Sequence, residues 1–239
     1  MNKPTRFLPV LFACALLLPS CATRITGSLQ AEGRADFNVF AALEPRMAAL
    51  LTGFALAGGA APGAPILDGP SIALSMAGAP GVSSAAFANA SPVSIEGRVQ
   101  SSDIGEFLSG AAGAEAYGSF ERFAGGGGRF SLGLDRASGR QMLALISPDI
   151  TNYLSALLAP VATGEAMTRA AYLGLLGLVY GQAIADEIAS ATVRAWIEFP
   201  GPIESIVGGE AQGRVAEFVI PLVDVMVLEE TLRYEVIWR

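Results

Sequence analysis

Short stretches of alternating apolar and polar residues recur along this chain and leave it few architectures to adopt. In Arg24–Gln30, Ile25, Gly27 and Leu29 fall on one side, and Arg24, Thr26, Ser28 and Gln30 on the other. Asp36–Leu43 repeats the pattern with Phe37, Val39, Ala41 and Leu43. Successive side chains of an extended chain point to opposite faces, so a period of two describes strands with one buried and one wet face. Between these two stretches, Ala31-Glu32-Gly33-Arg34 predicts a turn with Gly33 at positive φ, and hence an opening hairpin. The alternation returns in Val93–Val99, Thr192–Phe199, Arg214–Ile220 and, most clearly, Thr231–Arg239, with a further short strand at Ile203–Val207. In the last long stretch Leu232, Tyr234, Val236 and Trp238 share one side. Glu115–Phe123 and Arg129–Leu134 read as a second hairpin joined by the Gly125–Gly128 run.

Helical signals lie between these strands. Pro45 suits a first helical position and opens a helix through Arg46–Leu56. Gly58–Pro70 is a Gly/Ala/Pro loop, and the Ala-rich Ser71–Ala90 predicts partial helix broken at Pro80-Gly81. Asp103…Glu106 and Ser138…Gln141 have capping-box spacing, and Ser147-Pro148 is another helix start. From Arg140 to Ala189 the chain reads as mostly helical and apolar. Strands with one polar face, interleaved with helices, predict an α+β fold: an antiparallel sheet with helices packed on one face and a helical insertion in the middle. A doubly wound parallel sheet would instead show continuously apolar strands.

The N-terminus reads as an address. Met1–Arg6 is basic, Phe7–Leu18 is almost continuously apolar, and Leu18-Pro19-Ser20-Cys21 closes the segment. A basic start, a short apolar middle and a small-residue exit define a secretory signal over residues 1–20. The exit resembles the bacterial lipobox, which implies cleavage before Cys21 and diacylation of its sulfur. Two or more acyl chains anchor stably, at about 0.8 kcal/mol per buried methylene. An ordinary cleaved signal with an incidental first cysteine is the other reading. Ala22, rather than an acid, follows the cysteine, a pattern that in Gram-negative lipoproteins directs export to the outer membrane. The folded part is then a single α+β envelope domain over residues 21–239, facing the periplasm.

Charge and composition narrow the chemistry. The formal net charge is -7, and losing Lys3 and Arg6 with the signal makes the mature chain about -9. An acidic body argues against nucleic acid and against a basic membrane patch, so the anchor must hold it at the bilayer. Histidine is absent and the mature chain has no lysine, which excludes Ser–His, Cys–His and Ser–Lys constellations. No P-loop, G-x-S-x-G elbow or EF-hand pattern occurs. Asp186-Glu187 and Glu229-Glu230 are adjacent pairs whose side chains diverge. We therefore expect no enzyme, no cofactor and no metal site.

Met167–Ala189 is the most informative internal segment. Ala170, Gly174, Gly177 and Gly181 make a stripe almost without side chains, which would let another element approach closely. Tyr172, Leu175, Leu176 and Val179 form a bulky neighbouring face. That face either packs on the sheet or walls an apolar pocket for an acyl chain. A membrane span is a third reading, although only about 16 uncharged residues separate Arg169 from Asp186, against the roughly 20 required.

Both ends of the mature chain resemble LppM-type bacterial lipoproteins. The opening has a strand just after the cysteine, a Glu32-Gly33 turn, a second strand and a helix. The closing stretch carries Phe199-Pro200-Gly201-Pro202-Ile203-Glu204-Ser205, Gly208-Gly209-Glu210, Gly213, Ile220-Pro221-Leu222 and a final strand ending at Trp238. The resemblance implies an envelope-facing domain that shelters a lipid or glycolipid, with no catalytic residues to carry over. A structural or assembly lipoprotein that binds another envelope protein through the polar face of its sheet is the alternative.

Overall fold

The computed structural model describes residues 21–109, 117–140 and 148–239. The predicted signal segment 1–20, the predicted start of the second hairpin at Glu115, Gln141 and Ser147 lie outside the described residues. The opening hairpin forms as the alternation requires. Strand β1 (Cys21–Leu29) pairs antiparallel with β2 (Ala35–Leu43), and Gly33 in the turn has φ 90°. Helix α1 (Pro45–Ala57) follows with proline in its first turn. Helix α2 (Gly69–Ala77) begins at Asp68, whose side chain accepts the Ser71 N–H at 3.3 Å.

The chain then departs from expectation. The Ala-rich Ser71–Ala90 is helical only as far as Ala77, in α2; beyond the break at Pro80-Gly81 it becomes strand β3 (Val82–Ser91), paired with β4 (Ser94–Ser101). Only Phe87 within β3 is buried, so the strand shows no clean alternation and alanine content points to helix. The ladder with β4, a tertiary contact, overrides that propensity.

Helix α3 (Ile104–Leu108) starts at Asp103, whose carboxylate accepts the N–H groups of Gly105 and Glu106 at 2.8 and 3.1 Å. The second hairpin is β5 (Gly118–Arg122) with β6 (Gly128–Leu134). Residues 136–140 are helical. The residue that caps them is Asp135 rather than Ser138, because the Asp135 carboxylate accepts the Ser138 N–H while the Ser138 hydroxyl accepts the Asp135 N–H. The apolar middle divides into α4 (Pro148–Ala156), α5 (Pro160–Thr163), α6 (Arg169–Tyr180) and α7 (Gln182–Ser190). Gly181, at φ 92° and ψ 150°, breaks what the sequence suggests is one helix into α6 and α7. Among the described residues no helix is long and apolar enough to cross a membrane.

Strands β7 (Thr192–Glu198), β8 (Ile203–Val207), β9 (Glu210–Gln212) and β10 (Val215–Pro221) follow, then helix α8 (Leu222–Val227) and strand β11 (Leu232–Trp238). Sequence reading misses α8, whose residues are nearly all buried and so leave no periodic face to read. It also misses the three-residue β9.

The fold is α+β with two sheets. The larger has strand order β3-β4-β2-β1-β7-β10-β9 and the smaller β5-β6-β11-β8. Every pairing is antiparallel except β1 with β7, which runs parallel from Ala22↔Thr192 to Ser28↔Glu198. Everything from β2 to α7 lies between these two strands in sequence, so the helical insertion is the long crossover that a parallel pair needs. One face of the large sheet supplies Ile25, Phe37, Val39, Ile95, Val193 and Phe218 to the buried cluster. The helices meet that cluster through residues four apart: Met47 and Leu51, Ile72 and Met76, Tyr172 and Leu176, Ile184 and Ile188. The small sheet joins through aromatics. Phe199 lies 6.0 Å from Phe130 and 5.4 Å from Trp238, and Phe218 lies 5.5 Å from Tyr234, centroid to centroid.

Candidate functional site

The opposite face of the large sheet carries the other half of each alternation. Register aligns its side chains in rows across the strands. One row runs Ala88, Glu96, Phe40, Arg24, Arg194 and Val219; the next runs Ala86, Arg98, Asn38, Thr26, Trp196 and Glu217. A groove of about 530 Å³ crosses β1, β2, β3 and β4, lined by Arg24, Asn38, Phe40, Glu96 and Arg98 among others. A hollow of about 230 Å³ adjoins it, lined by Thr23, Arg24, Phe40, Thr192, Arg194 and Trp196. Arg24 and Phe40 belong to both.

The charges on this face are unevenly matched. Arg98 donates from Nε to Asp36 Oδ1 at 2.8 Å and makes a second bond to Oδ2, which Gln100 also reaches at 3.3 Å. The hydrogen bonds from Arg98 hold the Asp36 carboxyl below its usual range against an opposing effect of burial. Arg194 lies 3.9 Å from Glu217, and Arg214 lies 3.3 Å from Glu198. Exposed pairs of this kind contribute about 0–1 kcal/mol each. Arg24 has no hydrogen-bond or ion-pair partner for its side chain among the described residues.

The sequence-predicted residues fall elsewhere. Cys21 is the first residue of β1, and its backbone registers with Leu43. The four residues of the predicted pocket wall do not share one environment. Tyr172 and Leu176 are fully buried, Leu175 is half-buried and Val179 is half-exposed. The Tyr172 hydroxyl donates to the Leu157 carbonyl at 3.2 Å, and burial pushes its pKa up. The small-residue stripe is closely approached at Gly177 alone, where a Cβ would come within 3.0 Å of Gln182 Oε1 at the start of α7; a Cβ at Gly174 or Gly181 would meet nothing within 4 Å, and Ala170 is exposed.

The paired acids hold helices together. Glu187 accepts the N–H groups of Arg46 and Met47 at 3.2 and 2.9 Å, tying α7 to the start of α1. Asp186 accepts from Gln182 at 2.8 Å. Glu229 accepts the Arg169 N–H at 2.9 Å, at the start of α6. Among the described residues no three His, Cys, Asp or Glu side chains are grouped to hold a metal ion.

Sequence reading did not single out Arg24, Phe40, Arg194 or Trp196. Alternation already turned Arg24 outward, but its neighbours depend on a register between strands distant in sequence.

These features define a two-sheet α+β domain with one grooved sheet face that no described element covers. No protein-family model and no curated protein matches the chain. Among solved structures, the NMR structure of the folded domain of Mycobacterium tuberculosis LppM is similar. The match covers 92% of this chain and 90% of that one, at 13% identity and a TM-score of 0.41.

Proposed function

We propose that this chain is a membrane-anchored bacterial lipoprotein, held by acyl chains on Cys21, whose periplasm-facing domain binds a lipid, glycolipid or another apolar envelope molecule at the outer membrane. One observation carries the reading: the lipobox-like Leu18-Pro19-Ser20-Cys21 runs directly into a strand, since Cys21 is itself the first residue of β1. No linker separates anchor from domain, so the sheet is held directly at the bilayer surface. The groove beside β1 then opens within reach of envelope molecules. The role is binding, not catalysis.

Mass spectrometry of the membrane-extracted mature N-terminus tests the anchor. The expected species starts at an acylated Cys21, and a freely soluble product with an unmodified thiol overturns the proposal. Solvent extraction of residues 21–239 carrying Cys21→Ser tests the cargo, and co-purified lipid is the expected result. A second reading has its own observation. The open face presents ion pairs of both signs, Arg98–Asp36 and Arg194–Glu217, as protein-docking surfaces do. A lipid-free domain that captures a defined envelope protein, and loses it on charge reversal of Arg98, would favour that reading.

A further inference from the structure

We infer that Arg24 and Arg194, with Phe40 and Trp196 beside them, form a seat for the phosphate headgroup of an anionic phospholipid in the membrane that holds Cys21. The inference rests on the anchoring proposed above and adds the chemistry that the domain recognises.

The two arginines are direct partners across the parallel β1–β7 pair, on the same face of neighbouring strands about 4.8 Å apart. Like charges placed side by side on a sheet repel. Arg194 is offset by Glu217 at 3.9 Å, and Arg24 by no acid among the described residues. The pair therefore has a net positive charge on an otherwise acidic chain. Planar guanidinium groups suit the oxygens of a phosphate, which two forks can grip from adjacent strands. Phe40, 41% exposed, stands across from Arg24 on β2, and Trp196 lies two residues along β7 from Arg194. Aromatic rings next to the cations give the glycerol and ester region an amphipathic surface of the kind favoured at membrane interfaces.

Position makes the encounter local. Arg24 is three residues beyond Cys21, about 10 Å along an extended strand. That distance is a little more than the depth of a headgroup layer, about 5–8 Å, and the long arginine side chain can cover the difference. Glu96 and Glu217 flank the site, so it suits one headgroup and not a broad anionic surface.

The test uses residues 21–239 with Cys21→Ser, which contain every described element and the whole buried cluster from Ile25 to Trp238. Dihexanoylphosphatidylglycerol is titrated below its micelle concentration against dihexanoylphosphatidylcholine, with Trp196 fluorescence as readout. Trp238, only 2% exposed, gives a constant background, and Trp196→Phe removes the signal. The expected result is saturable binding about tenfold tighter for the anionic lipid, weakened about tenfold by Arg24→Gln or Arg194→Gln. Arg122→Gln, the same charge change on β5, leaves binding unaltered.

Equal response to the two lipids overturns the inference. So does an equal loss in Arg122→Gln, or inorganic phosphate binding as tightly as the anionic lipid. Should Arg24→Gln fail to fold, Arg24→Lys decides: it keeps the charge and loses the fork, and unchanged affinity counts against the seat. The titration needs no acyl group. An unmodified thiol in the native protein therefore defeats the anchor alone, and a flat titration with acylated Cys21 defeats the seat alone.

Discussion

The two faces of the seven-stranded sheet share one backbone and one set of ladders yet carry opposite chemistry. Ile25, Phe37, Val39 and Ile95 point into the buried cluster, and their immediate neighbours Arg24, Asn38, Phe40 and Glu96 line an open groove. On the inner face, close packing makes every side chain a contributor to stability. On the outer face, exposed side chains bear little of the fold, and Arg24 is left without an ion-pair partner among the described residues. A single residue step along each strand thus separates the side chains that hold the fold from those that line the groove.

The separation breaks most decisively if inner and outer substitutions have equal effects. Phe37→Ala, at a site 2% exposed, is expected to cost about 3–5 kcal/mol, whereas Arg24→Gln should stay within about 0.5 kcal/mol. Denaturant unfolding of both variants checks this, and comparable losses would show that the outer row also bears the fold.

Gly27 sharpens the comparison from within the inner face. It registers with Phe37, whose ring fills the place of the missing side chain: a Cβ there would sit 2.3 Å from Phe37 Cδ1 and 2.5 Å from the Asp36 carbonyl. Gly27→Ala should destabilise by about 1–3 kcal/mol. In a double-mutant cycle with Phe37→Ala part of that loss should be recovered, and strict additivity would contradict the contact.

A smaller effect is expected at Asp103, which caps α3. Asp103→Ala leaves the N–H groups of Gly105 and Glu106 unpaired and should lower stability by about 1 kcal/mol, read from thermal unfolding.

The smallest belongs to the outer face and depends on pH. The Arg98 hydrogen bonds hold the folded Asp36 carboxyl below its ordinary value of 3.8. Its contribution is therefore fully present above the unfolded value and disappears as pH falls through the lower, folded one. Both partners are partly exposed, with side-chain accessibilities of 28% and 58%, so the effect should not exceed about 1 kcal/mol. Asp36→Asn should flatten stability against pH below about 4, and an unchanged profile would remove the pair from the account.

Much of this was legible in the residues. Alternation placed Gly27 with Ile25 and Leu29 on the inner side and turned Arg24 outward, as the structure has them. Asp103 announced its helix by spacing alone. The failures share one cause. β3 lacks a buried face of its own and becomes a strand only through β4. The Met167–Ala189 segment has apolar residues enough for one helix, but Gly181 turns the chain and Val179 is left half-exposed. The candidate seat was illegible for the same reason. Nothing near Arg24 in sequence indicates that Arg194, 170 positions further on, stands beside it.

The residues by themselves determined the faces of the alternating strands, the helix start at Asp103 and the turn at Gly33. All of these follow from sterics and hydrogen bonds within a few positions. Tertiary structure alone decided which strands became neighbours, that β1 and β7 run parallel, that a second sheet forms, and which outward side chains share a groove. Those outcomes depend on burying one shared core across long chain separations, and local preference holds no information about that register.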